Sequence, residues 1–398
     1  MEEAPSYVLV FPTVFARKRI PQLTANIKTI LRIRGQEFRS VGRDGDIILV
    51  HANDPVFASS AIGLLFGVRR VAIARRAGNG LDELVAKIAS VGGNLLLRGE
   101  RFLVTVEGTT KGFIAKDAEV AATSRIIERK EELGAVPGTA GRFDREIYAY
   151  VTPKNAYVCI FSDGGAGGVP TQRDGRKDAA CAVYDELSAA SCFECMRQGY
   201  DVSITVFYKS RAGLLNLARL LNRLIPRMLR QEVELEFVRI KGGGAKDGGG
   251  HSAGGKYQAF VGAVTGAMQD LQGPGARMAL ATPPAAFPAD VADAHVLYVT
   301  EHGMTPLVPL AGTDEDGIYG IARELVLGDA GIKRLEKEIA MAATAGGTAR
   351  AGWQDGTVRA EPVQKVTVRV GANNTHDILD SLYPESSGSS RGTKQITI

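Results

Sequence analysis

The chain has 398 residues, of which 45% are hydrophobic and 23% are charged, and its formal net charge is +4. This length and composition predict two or three domains with ordinary packed cores, and so small a net charge does not by itself indicate a nucleic-acid partner. Four cysteines do not make a disulfide scaffold, and neither an apolar run of about 18 residues nor a hydrophobic signal core is present, so we expect a cytoplasmic protein that is not embedded in a membrane.

The first segment predicts a small antiparallel sheet with helices on one face. Ser6–Pro12 is an apolar run with strand composition, and residues 21–33 place apolar side chains at helical spacing. A strand at 46–50, a helix at 58–66 and a strand at 71–74 follow.

Positive charge is concentrated at the start of the chain. Residues 1–80 hold 12 Lys or Arg against 6 Asp or Glu, which gives this segment a net charge of +6. Such a block attracts polyanions, phosphate backbones above all. A solvated basic face without a partner is the alternative, and charge alone favours that alternative.

The second segment alternates helices, strands and polar turns. Its predicted elements are a helix at 81–91 ended by Gly92 and Gly93, a strand at 101–106, a helix at 117–133, and a hairpin with strands at 148–151 and 156–160. The glycine-rich stretch Gly164–Pro170 is typical of a linker, and it separates this segment from the next.

The third segment alternates apolar strands and helices, which predicts a doubly wound parallel sheet. The predicted strands are 179–183, 202–207, 233–240, 277–281 and 307–310, and the predicted helices are 188–198, 212–225, 257–271, 289–301 and 314–325. Gly242–Gly255 is a flexible insertion without the Lys-Ser or Lys-Thr of a phosphate loop. Beyond residue 345 we expect an edge strand at 365–370 and disorder from residue 386.

Several short strings occur in an order that resembles one protein family. They are Leu64–Val68, Val104–Val106 with the turn at 109–113, Ala156–Val158, Gly165–Pro170, Leu307–Asp314 and Ile318–Leu325. Gly165–Pro170 is similar to a Gly-Pro-Gly-Gly-Leu-Pro linker, and Leu307–Asp314 is similar to Leu-Arg-Pro-Leu-Ile-Gly-Met-Asp. Together they resemble the tRNA 4-thiouridine synthetases, some of which also serve thiamine biosynthesis.

This resemblance implies a fold and a function. The implied domains are a ferredoxin-like N-terminal domain (1–78), a THUMP RNA-binding domain (79–165), a PP-loop nucleotide-binding-like domain (171–345) and a partly disordered tail (346–398). The implied activity is that of a tRNA sulfurtransferase, which adenylates a uridine of tRNA with ATP and Mg²⁺ and converts it to 4-thiouridine. The sequence leaves open whether the chain forms a homodimer.

The sequence departs from this family at the loop that should hold the nucleotide. A PP-loop reads Ser-Gly-Gly-x-Asp-Ser, and its glycines let backbone N–H groups approach the pyrophosphate ahead of a helix N-terminus. Here Val183–Ser188 keeps only Ser188, and Tyr184 and Asp185 replace the glycines. Asp185 and Glu186 also add negative charge, and repulsion between unit charges about 4 Å apart is on the order of 1–4 kcal/mol.

A second nucleotide motif and the family's late cysteine are also missing. Residues 282–288 replace Thr-Gly-Glu-Ser-Leu-Gly-Gln, and no cysteine follows Cys195. We therefore expect a tRNA-binding protein that keeps the fold and has lost adenylation. The alternative is an active sulfurtransferase with a divergent site, and only that alternative requires ATP and Mg²⁺ as cofactors.

Basic residues at helical spacing are the candidate RNA contacts. They are Lys111, Arg125, Arg129 and Lys130 in the second segment and Arg219 and Arg223 in the third. Arg227 and Arg230 continue the latter row past the bend expected at Pro226. Contacts from such residues to the RNA backbone read shape more than sequence, and a solvated helix face is the alternative.

Cysteine and histidine offer no clear metal site. Cys192 and Cys195 form a Cys-x-x-Cys on a predicted helix, and together with Cys181 they could ligate a metal or an iron–sulfur cluster. A fourth local ligand is lacking, so buried structural cysteines are the favoured interpretation. The five histidines have no ligand spacing and are assigned structural or surface roles.

Overall fold

The computed structural model describes residues 5–129, 134–173, 177–242, 253–283, 286–325, 327–343 and 358–383. The chain forms two compact units. The first contains residues 1–172 with 197–199, and the second contains 173–196 with 200–398. The finer domain boundaries expected from the sequence stay predictions.

The first unit is built on one mixed sheet of eight strands in the order β2-β3-β1-β4-β8-β7-β5-β6. Its elements are β1 (Ser6–Pro12), α1 (Ile20–Ile33), β2 (Phe38–Asp44), β3 (Ile47–Ala52), α2 (Pro55–Gly63), β4 (Val68–Ala77), α3 (Leu81–Leu95), β5 (Arg101–Gly108), α4 (Ala115–Arg129), β6 (Val136–Pro137), β7 (Arg145–Val151) and β8 (Ala156–Gly167). Strand β5 runs parallel to β6 and β7, and the other pairs are antiparallel. The sequence did not predict β2, because this edge strand is mostly polar and exposed.

The sheet of the first unit is strongly curled. The rings of Phe11 on β1 and Tyr150 on β7 lie 5.1 Å apart, although β4 and β8 separate these two strands. Strands spaced about 4.8 Å apart would hold these positions roughly 14 Å apart in a flat sheet. Tyr157 OH on β8 also donates a hydrogen bond at 2.6 Å to Asp44 Oδ2 on β2, the strand at one edge of the sheet. The face inside the curl is therefore a second core, distinct from the face that α3 and α4 cover.

Two glycine-rich stretches belong to regular elements, which corrects the sequence expectation. Helix α3 continues through Gly92 to Leu95, and a Cβ at Gly92 would lie 2.6 Å from Ile147 Cδ1, so glycine favours this close packing. The stretch expected to be a linker from Gly164 extends β8 as far as Gly167. At Gly92 and at Gly165 the missing Cβ permits close approach of a neighbouring segment, and neither glycine ends its element.

The second unit contains a parallel sheet in the order β13-β12-β9-β10-β11, with two antiparallel strands added on β11. Its elements are β9 (Asp178–Val183), α5 (Glu186–Arg197), β10 (Asp201–Tyr208), α6 (Arg211–Leu224), β11 (Glu232–Gly242), α7 (Ala253–Gln272), β12 (Arg277–Ala279), α8 (Ala289–Glu301), β13 (Thr305–Leu307), α9 (Glu315–Glu324), α10 (Asp329–Ala343), β14 (Val358–Ala360), β15 (Gln364–Arg369) and α11 (Thr375–Leu382). The two units together confirm the predicted fold class, a mixed-sheet unit followed by a parallel α/β unit.

Predictions late in the chain had mixed outcomes. The edge strand expected at 365–370 is confirmed as β15, which pairs antiparallel with β11. The strand expected at 307–310 is wrong in position, because β13 ends at Leu307 and Pro309 has no N–H to pair. The insertion residues 243–252 and the tail from residue 386 lie outside the described residues. Within the described ranges, no helix has both the length and the hydropathy needed to cross a bilayer.

Candidate nucleotide loop and nucleic-acid surfaces

The loop between β9 and α5 lies at the carboxyl end of the first strand of the parallel sheet. The strand order reverses at β9, and ligands of doubly wound sheets bind at that edge. Because β9 ends at Val183 and α5 begins at Glu186, only Tyr184 and Asp185 lie between them. Ser188 follows in the first turn of α5 and is buried.

Ser188 and Asp185 close this loop on itself. Ser188 Oγ accepts hydrogen bonds from the backbone N–H groups of Tyr184 and Asp185, both at 2.9 Å, and donates to the Asp185 carbonyl at 3.0 Å. Asp185 Oδ1 accepts from the Ser188 N–H at 2.7 Å. These reciprocal hydrogen bonds cap α5, because they give side-chain acceptors to backbone N–H groups that have no partner within the helix.

Helix α10 supplies the acceptor for one more donor. The Leu187 N–H donates to Glu338 Oε2 at 3.2 Å, and Arg334, one turn earlier in α10, pairs with Glu186. Burial, and then the negative charges of Asp185 and Glu186, raise the pKa of Glu338 well above the usual range of a carboxyl group. The chain's own carboxyl groups therefore enclose the loop.

A nucleotide phosphate does not fit the loop in this arrangement. The N–H groups of Tyr184, Asp185, Leu187 and Ser188 already have protein acceptors. A phosphate would have to displace those acceptors and lie beside acidic side chains, at a helix end that ordinarily attracts anions. Ser188, the one residue retained from the PP-loop pattern, acts here as a helix cap.

A cavity of about 310 Å³ lies beside the loop. Tyr184, Lys209 and Phe260 line it together with Arg334 and Met341 of α10. The rings of Tyr184 and Phe260 meet edge to face at 5.3 Å, and Lys209 Nζ lies 4.1 Å from the centre of the Phe260 ring. Lys209 and Phe260 thus form a cation–π contact in the wall of this cavity.

The second degenerate motif retains one polar side chain, and the chain uses it internally. Thr282 Oγ1 and Thr265 Oγ1 each lie 3.1 Å from a ring nitrogen of His295. The Thr265 hydroxyl donates to the Val261 carbonyl, so it accepts from His295 Nε2–H, and Nδ1 accepts from Thr282. Burial lowers the pKa of His295 to about 3, which keeps the ring neutral. His295 is therefore a buried structural residue.

The three cysteines of the second unit lie together in its core. Cys181 on β9 meets Cys192 and Cys195 on α5, and all three are buried. Hydrogen bonds from Cys192 and Cys195, with burial, raise the pKa of Cys181 well above that of a free thiol, which disfavours the reactive thiolate. In the described part of the chain, no group of three or more His, Cys, Asp or Glu is arranged to hold a metal ion.

The basic residues predicted on α4 lie along one exposed flank. Arg125 and Arg129 are one helical turn apart and exposed, whereas Ala118, Ala122 and Ile126 form the buried side. Lys111 is exposed in the turn before α4. Arg125 and Arg129 therefore share one flank of α4, whereas Lys111 lies outside the helix and Lys130 lies outside the described residues.

The arginine row on α6 is shorter than its spacing predicts. Arg219 and Arg223 are exposed on the helix. After the helix ends, Arg227 Nη1 donates to the Arg223 carbonyl at 2.7 Å, and Arg230 forms an ion pair with Asp201 at 2.9 Å. These two arginines therefore bind the protein's own groups and do not extend the row.

Sequence reasoning did not find Arg334 and Glu338, the residues that close the loop from outside. They are four positions apart on α10, a helix that the sequence analysis did not predict. The repeating apolar positions of residues 329–343 could have predicted the helix. No local pattern could place it against a loop about 150 positions earlier, because only the tertiary fold brings them together.

Solved structures resemble this chain in fold over most of its length. The crystal structure of PH1313 from Pyrococcus horikoshii Ot3 matches with a TM-score of 0.58 at 18% sequence identity, covering 81% of this chain and 100% of that one. The crystal structure of a 4-thiouridine synthetase–RNA complex with bound ATP matches with a TM-score of 0.59 at 13% identity, covering 92% of this chain and 100% of that one. No protein-family model and no curated protein sequence matches the chain. Identities this low establish a shared fold.

Proposed function

We propose that the protein binds tRNA through exposed basic side chains on α4, on the turn before it and on α6, and performs no ATP-dependent adenylation. The observation that carries this proposal is the combination of a 4-thiouridine-synthetase-like architecture with a nucleotide loop whose N–H donors the chain occupies itself. The domains, the RNA contacts and the absence of catalysis are parts of the proposal.

Charge on the surface supports the RNA-binding half. Lys111, Arg125, Arg129, Arg219 and Arg223 are all exposed. Among the described residues, none of these five forms an ion pair with a carboxylate. Exposed cations without partners are free to neutralise phosphates, and the counterions released on binding make such contacts salt-dependent.

The closed loop supports the non-catalytic half. A phosphate would have to break the hydrogen bonds that Ser188, Asp185 and Glu338 make. The bond to the Asp185 carboxylate contributes about 1.5–3 kcal/mol, and a bond between neutral groups contributes about 0.5–1.5 kcal/mol. It would also approach Glu186, although Arg334 offsets part of that charge. The free energy needed to break these hydrogen bonds and to approach Glu186 adds to the loss of the close backbone approach that the missing PP-loop glycines would allow.

The test is a filter-binding titration with tRNA at several salt concentrations, run beside a 4-thiouridine assay on the same RNA with ATP, Mg²⁺ and a sulfur donor. We expect tight, salt-sensitive binding and no thiolation. Thiolation would overturn the non-catalytic half, and salt-insensitive or absent binding would overturn the RNA half.

An active sulfurtransferase with a divergent nucleotide site is the second candidate, and the cavity beside the loop is the observation that favours it. Calorimetric titration with ATP and Mg²⁺ distinguishes the two functions. Micromolar affinity would support the active enzyme, and no heat at millimolar ATP would support the closed loop.

A further inference from the structure

The turn that follows β1 exposes two large apolar side chains next to three basic ones. Val14 and Phe15 are 72% and 69% exposed. The next exposed residues form a short 3₁₀ helix, Arg17–Arg19, which leads directly into α1. We call residues 14–19 the β1–α1 turn. An exposed apolar pair within a cationic run is typical of a surface that has a partner.

The protein holds this turn in a fixed conformation. Thr13 is buried, its N–H donates to the Gly67 carbonyl at 2.9 Å, and its Oγ1 donates to the Gly168 carbonyl at 2.8 Å. The N–H groups of Ala16 and Arg17 donate back to the Thr13 carbonyl at 3.1 and 3.2 Å, and Ala16 is fully buried. Because the turn is anchored at these buried residues, little conformational entropy is lost when a partner contacts the exposed side chains between them.

The positive charge of the turn is not balanced by neighbouring acids. Residues 4–36 contain six Lys or Arg and no Asp or Glu. In the described part of the chain, Arg17, Lys18 and Arg19 form no ion pair with a carboxylate. They precede the amino end of α1, whose first turn has no acidic residue, so the helix dipole adds to their positive potential. The charge therefore favours a partner rich in anions.

An RNA with unpaired nucleotides has both features that the turn complements. Phosphates neutralise the cations, and the face of an unpaired base stacks on an aromatic ring such as Phe15. A duplex hides the faces of its bases, so Phe15 has nothing to stack on there. An anionic membrane shares the negative charge, but the RNA binding proposed above already gives the protein a polyanionic partner.

We propose that the β1–α1 turn is a further RNA contact, in which Phe15 stacks on an unpaired base and Arg17, Lys18 and Arg19 neutralise the neighbouring phosphates. This inference rests on the proposed RNA binding and deepens it, because it requires the bound RNA to carry a single-stranded segment.

Filter binding of the full-length chain tests the stacking, with tRNA and with two hairpin RNAs, one blunt-ended and one carrying a short single-stranded overhang. Phe15→Ala should weaken the binding of tRNA and of the overhang hairpin roughly 5- to 100-fold, as the loss of one stacked base predicts, without changing the salt slope. Binding of the blunt hairpin should not change. Phe15→Trp should retain the affinity, whereas Phe15→Leu, which is apolar but has no π-face, should lose it.

The basic residues of the turn should have the complementary effect. Arg17→Ala combined with Lys18→Ala should weaken binding and flatten the salt slope by about one to two units. The control for Phe15 is Phe57→Ala, because Phe57 is 64% exposed on α2, a helix without Lys or Arg. The control for charge is Lys333→Ala with Lys337→Ala, which removes two exposed cations from α10. Both controls should leave binding nearly unchanged.

Two outcomes would overturn this inference and leave the proposed RNA binding in place. One is a tRNA affinity that Phe15→Ala does not change; if that variant instead loses cosedimentation with phosphatidylserine vesicles, the partner of the turn is a lipid surface. The other is an equal loss in Phe57→Ala or with the blunt hairpin. A wild type without salt-sensitive tRNA binding would remove the proposed function, and this inference with it.

Discussion

Two parts of this molecule could attract anions: the backbone N–H groups at the start of α5 and the arginines on α4. The first group is hydrogen-bonded within the chain, whereas the second is exposed to solvent. At the start of α5 the backbone donors are satisfied by Ser188, Asp185 and Glu338. On the flank of α4, Arg125 and Arg129 extend into solvent. A helix end that is filled by the chain favours a stable fold, whereas exposed cations are available to a partner. The proposed RNA binding therefore relies on exposed side chains and does not use the loop between β9 and α5.

The largest expected effect tests how much the hydrogen bonds of Ser188, in the loop between β9 and α5, contribute to the free energy of unfolding. Ser188→Ala removes the acceptor of two backbone N–H groups, and we expect a loss of about 1–3 kcal/mol in the free energy of unfolding. Ser210→Ala is the matched control, because this cap of α6 accepts only from Gly213 at 3.2 Å, and it should cost about 0.5–1 kcal/mol. Urea denaturation followed by circular dichroism measures both. Equal losses would mean that the α5 loop is no more closed than an ordinary capped helix.

The next prediction tests the open side of the comparison. Lys111→Ala combined with Arg125→Ala should weaken tRNA binding roughly 10- to 30-fold at 0.15 M salt and flatten the salt slope by about one to two units. Lys116→Ala is the control, since it is exposed on α4, nearly opposite Arg125 around the helix, and should leave both quantities nearly unchanged. Equal effects of the two variants would remove the assignment of the α4 flank.

A smaller effect concerns the pH dependence of stability in the second unit. The folded-state pKa of Glu338 is raised, so its contribution to stability is fully present below the ordinary carboxyl pKa and is lost as pH rises toward the raised value. Glu338→Gln should therefore raise the melting temperature by roughly 2–4 °C at pH 8, for a gain of about 1 kcal/mol, and by less at pH 5. Differential scanning calorimetry at the two pH values measures this. A gain that is larger at pH 5 would have the wrong sign.

The smallest effect distinguishes Arg223, which is exposed on α6, from Arg227, which follows the helix. Arg223→Ala should weaken tRNA binding about fivefold at 0.15 M salt through the loss of one phosphate contact. Arg227→Ala should leave binding unchanged, because its guanidinium already donates to the Arg223 carbonyl. Filter binding compares them, and an equal loss for Arg227→Ala would show that the row extends beyond α6.

Most strands and helices could be predicted because their apolar spacing is a local property. Ser6–Pro12 and Ala289–Glu301 have the bounds that the sequence predicts. Errors occurred at glycines, because glycine can either end an element or permit close packing inside it. Gly92 and Gly165 permit close packing and lie within α3 and β8. The edge strand β2 was missed because a strand with little burial has no alternating pattern.

The candidate site was less predictable than the fold. The replaced glycines of Val183–Ser188 could be found from the sequence, since the change lies in the motif itself. The hydrogen bond from Leu187 to Glu338 could not, because it depends on the tertiary placement of α10. For the same reason the sequence could not show that Arg230 is already paired with Asp201.

The curled sheet of the first unit has a consequence for dividing the chain experimentally. Strand β4 pairs with β1 on one side and with β8 on the other. A fragment that stops at residue 78 would keep β4 but lose β8, which would leave unpaired backbone donors and acceptors along a strand whose central residues, 71–74, are apolar. Such edges recruit strands from other molecules. We therefore expect the fragment 1–78 to self-associate and the fragment 1–172 to remain monodisperse in size-exclusion chromatography.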